Sequence, residues 1–161
     1  MKHFLFLFSL IILVSCSAYQ PPKTYNFPTE MEFDKTYDEV WTRVISLFAD
    51  AGIPIKTLDK ASGLIATESN LGAQEFATVM DCGTPASDLN VYKFENQLGK
   101  FNVQVISISP NRTKVKVRTF FKTLYVRYTR QQGYWVRTGS QWIDCNSTGA
   151  FEALIFNYLS Q

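Results

Sequence analysis

Two short segments of this chain place a thiol beside a carboxylate: Asp81-Cys82-Gly83 and Asp144-Cys145-Asn146. A bridge between the cysteines would bring both carboxylates together, as paired acid–base chemistry requires. An aspartate beside turn-forming residues more often caps backbone amides, and that reading is preferred for both. The only histidine is His3, inside the segment read below as a signal. Without an imidazole, Ser-His-Asp and Cys-His nucleophilic sites and His-ligated zinc fall away. Gly63, Gly72 and Gly83 are isolated, so no Gly-rich loop cradles a phosphate. The expectation is a chain that is not an enzyme and takes no cofactor and no metal.

Binding chemistry is better represented. Lys114, Lys116, Arg118 and Lys122 recur at every second or fourth position, which puts a basic row on one face of a strand. Such a row suits anionic headgroups or an acidic partner; the preferred reading is a solvated face that also discourages edge pairing. Phe120, Tyr125, Tyr128, Tyr134, Trp135 and Trp142 are dense in the same region. Tyr and Trp are favoured at interfaces, and about half of these rings are expected in the core. Lys114, Lys116, Arg118, Tyr125, Tyr128, Tyr134 and Trp135 are the candidate binding residues.

The start of the chain speaks to location. Lys2 and His3 precede an apolar run from Phe4 to Val14, a signal-peptide layout too short to span a bilayer. Leu13-Val14-Ser15-Cys16 resembles the bacterial lipobox. The resemblance implies a signal peptide over residues 1–15, lipid on the Cys16 sulfur and, with three acyl chains (palmitate among them), firm membrane attachment. The alternative is ordinary secretion with cleavage after Ser15 or Ala18. By the same resemblance, Ser17 after the cysteine points to the outer membrane, with the domain facing the periplasm. Three cysteines in an exported chain leave one to explain. With Cys16 lipidated, Cys82 and Cys145 can form a disulfide bond in a compartment where disulfides persist; the alternative is two separate thiols. Residues 16–29, with Pro21-Pro22, read as a lipidated cysteine and extended tether.

About 146 residues follow the signal, enough for one domain over residues 30–161. Fifteen basic and fourteen acidic residues remain after the signal, so nothing points to nucleic acid.

A strand is expected at Met31–Phe33. Thr36-Tyr37-Asp38-Glu39 fits a capping box, and Val40, Trp41, Val44, Ile45, Leu47, Phe48 and Ala51 make one helical stripe, stopped by Gly52 and Pro54. Ile53–Leu58 and Leu64–Glu68 read as a hairpin about Asp59–Gly63. Phe76, Val79 and Met80 suggest a further strand, and Val91, Tyr92 and Phe94 another. Phe101–Ser109 and Thr113–Lys122 are clearer, the latter alternating Val115, Val117 and Phe121 with the basic row. Tyr125–Tyr128 and Tyr134–Arg137 extend it as a hairpin about Gln131–Gly133. Phe151, Leu154, Ile155, Tyr158 and Leu159 recur as a helix capped from Asn146, Ser147 or Thr148, with Glu152 in its first turn. The order implies α+β, an antiparallel sheet with an N-terminal and a C-terminal helix on one face.

The run Lys35-Thr36-Tyr37-Asp38-Glu39-Val40-Trp41, through Ile53-Pro54-Ile55 to Leu58-Asp59-Lys60-Ala61-Ser62-Gly63-Leu64-Ile65-Ala66-Thr67-Glu68, resembles the repeated unit of BamC, a lipoprotein of the outer-membrane barrel-assembly machinery. The likeness covers about a quarter of the chain after the signal. It implies a helix-grip fold, an antiparallel sheet wrapped on a long helix, in a cell-envelope lipoprotein. This chain has one unit rather than two and carries cysteines. The resulting expectation is a membrane-anchored, non-catalytic domain that binds an envelope protein in assembly or maintenance. The alternative is a lipid or other apolar small molecule in a helix-grip cavity.

Overall fold

The structure, a computed structural model, describes residues 18–69 and 77–161. Cys16, the signal segment and Phe76 lie outside them.

Seven strands and two long helices follow one another as β1 (Glu30–Phe33), α1 (Tyr37–Asp50), β2 (Ile55–Asp59), β3 (Leu64–Ser69), β4 (Met80–Asp81), β5 (Val91–Ser109), β6 (Arg112–Gln131), β7 (Tyr134–Ser147) and α2 (Ala150–Ser160). Every pairing is antiparallel, in the order β2-β3-β5-β6-β7-β4. β6 is the spine. One flank carries β5, while the other is shared by β1, along Thr113–Lys116, and β7, from Phe121 to Gln131. Between them the Val117 N–H donates to the Thr29 carbonyl at 2.8 Å.

α1 forms as its punctuation dictates, with one change. The Thr36 side chain accepts from the Glu39 N–H at 3.2 Å. The reciprocal half of the capping box is missing, because the Glu39 carboxylate pairs with Arg43 one turn on, at 3.2 Å. At the other end Gly52 is left-handed, its N–H donates to the Ala49 carbonyl, and the Ile53 N–H donates to that of Phe48; this is a Schellman stop. Val40, Trp41, Val44, Leu47 and Phe48 are buried, each contributing roughly 2 kcal/mol. Ala51 ends the helix exposed instead of extending the stripe.

These side chains meet one face of the sheet, made by Phe33, Ile65, Phe101, Val103, Val105, Val115, Val117 and Phe121, and meet Phe151, Ile155, Phe156 and Leu159 of α2. The Phe101 and Phe151 rings stack at 3.9 Å, with Phe48 at 6.3 Å from Phe151. Val115, Val117 and Phe121 point inward as their alternation requires.

The sheet differs from the sequence reading in strand length. Val91–Phe94 and Phe101–Ser109 are one strand, with a bulge between Glu95 and Leu98 where Asn96 is left-handed; the bulge hides the continuity from any alternation count. Likewise Thr113–Lys122 and Tyr125–Tyr128 are one strand. Its hairpin closes through Gln132 and Gly133, both left-handed, as a two-residue turn prefers. Val79 lies in a helical turn and Met80 in β4 rather than in a longer strand. α2 takes Gly149 as its cap, with no side-chain cap bond, while Asn146 and Ser147 stay in β7. Glu152 is buried, accepting from Thr119 Oγ1 at 2.7 Å and Ser147 Oγ at 2.9 Å.

Candidate functional site

Cys82 and Cys145 have their sulfurs at bonding distance, with Cα atoms 4.3 Å apart. The neighbouring carboxylates do not converge on a common partner. Asp81 accepts from the backbone N–H groups of Gly83 (2.7 Å) and Lys23 (3.0 Å) and from the Tyr25 hydroxyl (3.1 Å). Burial alone would raise its pKa, but these donors outweigh burial and hold it below the ordinary aspartate value. Asp144 is exposed and pairs with Lys122 at 3.4 Å. Asp81 thus acts as the backbone cap that its turn setting implies.

Residues 19–27, read as tether, are fastened to this corner. The Tyr19 hydroxyl donates to the Cys82 carbonyl at 2.9 Å, Gln20 and Thr84 exchange backbone bonds, and Asn146 Nδ2 donates to the Lys23 carbonyl at 2.8 Å. Phe27 lies against Gly149 where any Cβ would sit.

Lys114, Lys116 and Arg118 do share the outer face of β6. Two of them are neutralised by β1, which the register sets opposite: Glu30 faces Lys116 and Glu32 faces Lys114. Lys114 pairs with Glu32 at 3.3 Å and Glu30 at 3.6 Å, and Lys116 with Glu30 at 3.8 Å. The hydrogen bond to Glu32, then the charge of Glu30, raises the Lys114 pKa. Arg118 holds no ion pair among the described residues.

The aromatic candidates separate. Tyr125 is buried on the inner face, stacked on Tyr92 with centroids 5.4 Å apart, and flanked by Tyr19 and Phe94. Tyr128 lies on the outer face, donating to Glu95 at 2.6 Å beneath the Lys93 ammonium. Tyr134 and Trp135 stand at the hairpin end, 77% and 51% exposed. About 40 Å of strand separates Lys116 from Tyr128, so the seven residues form no single site.

What the structure does bring together is the far half of the β6–β7 ribbon. Trp135 pairs with Arg130 and Arg137 with Tyr128, and Trp142, opposite Leu124, is 49% exposed. Along its other side β7 meets β4 only at Asn146 and Ser147. From Tyr134 to Cys145 that edge has no backbone partner among the described residues. Sequence reasoning named Trp142 among the aromatics but missed Arg130, Arg137 and the open edge. Their signal lies in the tip sequence Arg130-Gln131-Gln132-Gly133-Tyr134-Trp135-Val136-Arg137, a hairpin rich in rings and guanidinium groups.

On the inner side of the same ribbon, Tyr92, Tyr125, Arg127, Gly139, Ser140 and Gln141 line a concavity of about 260 Å³. Among the described residues no group of acidic, His and Cys side chains is placed to hold a metal, and no helix is long and apolar enough to cross a membrane. No protein-family model matches the chain, and no curated protein does.

Proposed function

We propose that this protein is an outer-membrane lipoprotein, lipidated at Cys16 and facing the periplasm, whose single BamC-like domain has a helix-grip fold and binds an envelope protein partner without catalysis. The observation that carries the interaction reading is the β6–β7 ribbon. A hairpin that leaves Tyr134, Trp135, Val136 and Trp142 in water sacrifices burial that a free-standing domain would use, and such exposed rings are typical of contact surfaces. The anchoring reading rests on Leu13-Val14-Ser15-Cys16. The docked arm supports it too. With lipid at Cys16 and the chain held from Tyr19 onward, about 10 Å of backbone separates bilayer from domain.

Native electrophoresis of mildly solubilised envelopes tests the partner. The full chain is expected in a complex larger than itself, and W135A with W142A should release it as monomer. A wild-type chain already running as monomer sinks the reading.

A second reading, a small-molecule binder, draws support from the concavity beside Tyr92 and Tyr125. Between α1 and the sheet, where a helix-grip cavity would lie, Phe48, Phe101 and Phe151 are packed ring on ring, which favours the partner reading. Mass spectrometry of the domain without Cys16 would reveal a copurified lipid if the second reading holds.

A further inference from the structure

We infer that the partner is taken by strand addition: an extended segment alternating acidic and apolar side chains pairs with the open edge of β7 between Trp135 and Asp144. This rests on the reading of the ribbon as the partner surface and specifies how it binds.

Two edges of the sheet, along β2 and β7, are built differently. β2 has five residues, a bulge between Ile55 and Thr57, and the charged side chains of Lys56 and Asp59, with Pro54 before it. Those are the usual guards against unwanted pairing. β7 offers about 35 Å of edge with no proline and no lysine in it; its one interruption is the bulge at Thr138.

The register shows which groups are open. The Val117 N–H points toward the flank that β7 shares. Main-chain groups alternate along a strand, so Phe121, Thr123, Tyr125 and Arg127 bond toward β7, to Cys145, Ile143, Gln141 and Gly139. The N–H groups of Ser140, Trp142 and Asp144 therefore point away from the sheet. Beyond the bulge the same holds for Trp135 and Arg137, because Val136 takes the ladder position opposite Thr129.

Side chains decide what the added strand carries. On the outer face it would lie beside Arg137 and Trp135, with Arg130 one strand further in. The carboxylates on that face are engaged: Asp144 by Lys122 and Glu95 by Tyr128. Charge complementarity calls for Asp or Glu at these positions. On the inner face the edge presents Val136, Gly139, Gln141 and Ile143, with Arg127 behind Gly139 turned to the Thr138 hydroxyl and the charge of Asp88; Val136 and Ile143 favour apolar side chains.

The test is residue-resolved hydrogen exchange on the full chain in detergent, with two nine-residue peptides, one alternating valine and glutamate, the other valine and lysine. The glutamate peptide is expected to slow exchange at least tenfold at Arg137, Ser140 and Trp142, leaving Val136, Gln141 and Ile143, already in the ladder, unchanged. The lysine peptide should slow exchange at none of these positions. Ser140→Pro removes an outward N–H that β6 does not use and should abolish the protection. If that variant fails to fold, Arg137→Glu, which leaves the backbone intact, should weaken the glutamate peptide and favour the lysine one. No protection, equal protection by both peptides, or protection without peptide that grows with protein concentration (a second copy on the edge) would overturn the inference. If the native complex still dissolves with W135A and W142A while no alternation is seen, the partner docks on the ribbon's face, and only strand addition fails.

Discussion

Cys145 is bonded to Cys82 at the point where β7 passes from its pairing with β4, at Asn146 and Ser147, to the stretch beside β6 whose other edge is open. The bond closes a loop of 63 residues that contains β5, β6 and most of β7. Loop-entropy reasoning assigns it about 4 kcal/mol. C82S with C145S should lower the urea midpoint by that amount over the slope, and reductant should do the same to wild type while leaving the double variant unmoved.

Asp81 sets an acid limit. Its folded pKa lies below the ordinary value of about 4, so its stabilisation is present above that value and disappears as pH falls through the folded pKa. Thermal melts of D81N should therefore show a flatter decline below pH 4 than wild type. At neutral pH, D81A leaves backbone donors at Gly83 and Lys23 without their acceptor and should cost about 1.5 kcal/mol.

Two glycines with similar backbones should respond differently. Gly63 and Gly52 both have positive φ. A Cβ at Gly63 would run into the Val105 carbonyl oxygen, whereas one at Gly52 meets nothing. G52A should cost about 1 kcal/mol from strain alone. G63A must move the β2–β3 turn off β5 and should exceed about 3 kcal/mol. Equal midpoints in denaturant melts would contradict the close approach.

These elements mark how far the sequence could be read. α1 and the β2–β3 hairpin were legible because their signals are local: Thr36 caps, Gly52 stops, and Asp59 Oδ1 accepts from the Ala61 and Ser62 N–H groups in the turn. The inner face of β6 was legible because one side is covered and the other wet. In the distal half the hairpin about Gln131–Gly133 was legible from its turn residues, but its faces were not, since Arg130 and Trp135 are exposed there and no burial contrast drives alternation. The ion pairs of the basic row were hidden for a different reason. They depend on β1 lying beside β6, a pairing across more than eighty residues that no local pattern encodes. Burial of Glu152 was equally hidden, because its partners Thr119 and Ser147 arrive from two other elements.

The ribbon aromatics should separate binding from folding. Trp135 and Trp142 are half in solvent, so alanine at either should change stability by no more than about 0.5 kcal/mol while weakening the partner complex. Tyr125, buried in its stack, should behave oppositely, with Y125A costing about 3 kcal/mol in a denaturant melt.

The most direct measurement of the central claim places a photoreactive residue at Trp135, and separately at Leu58 on the opposite edge, in the full chain within living cells. A discrete adduct with an envelope protein is expected from position 135 and none from 58. Adducts of equal yield from both edges, or none from 135, would contradict it.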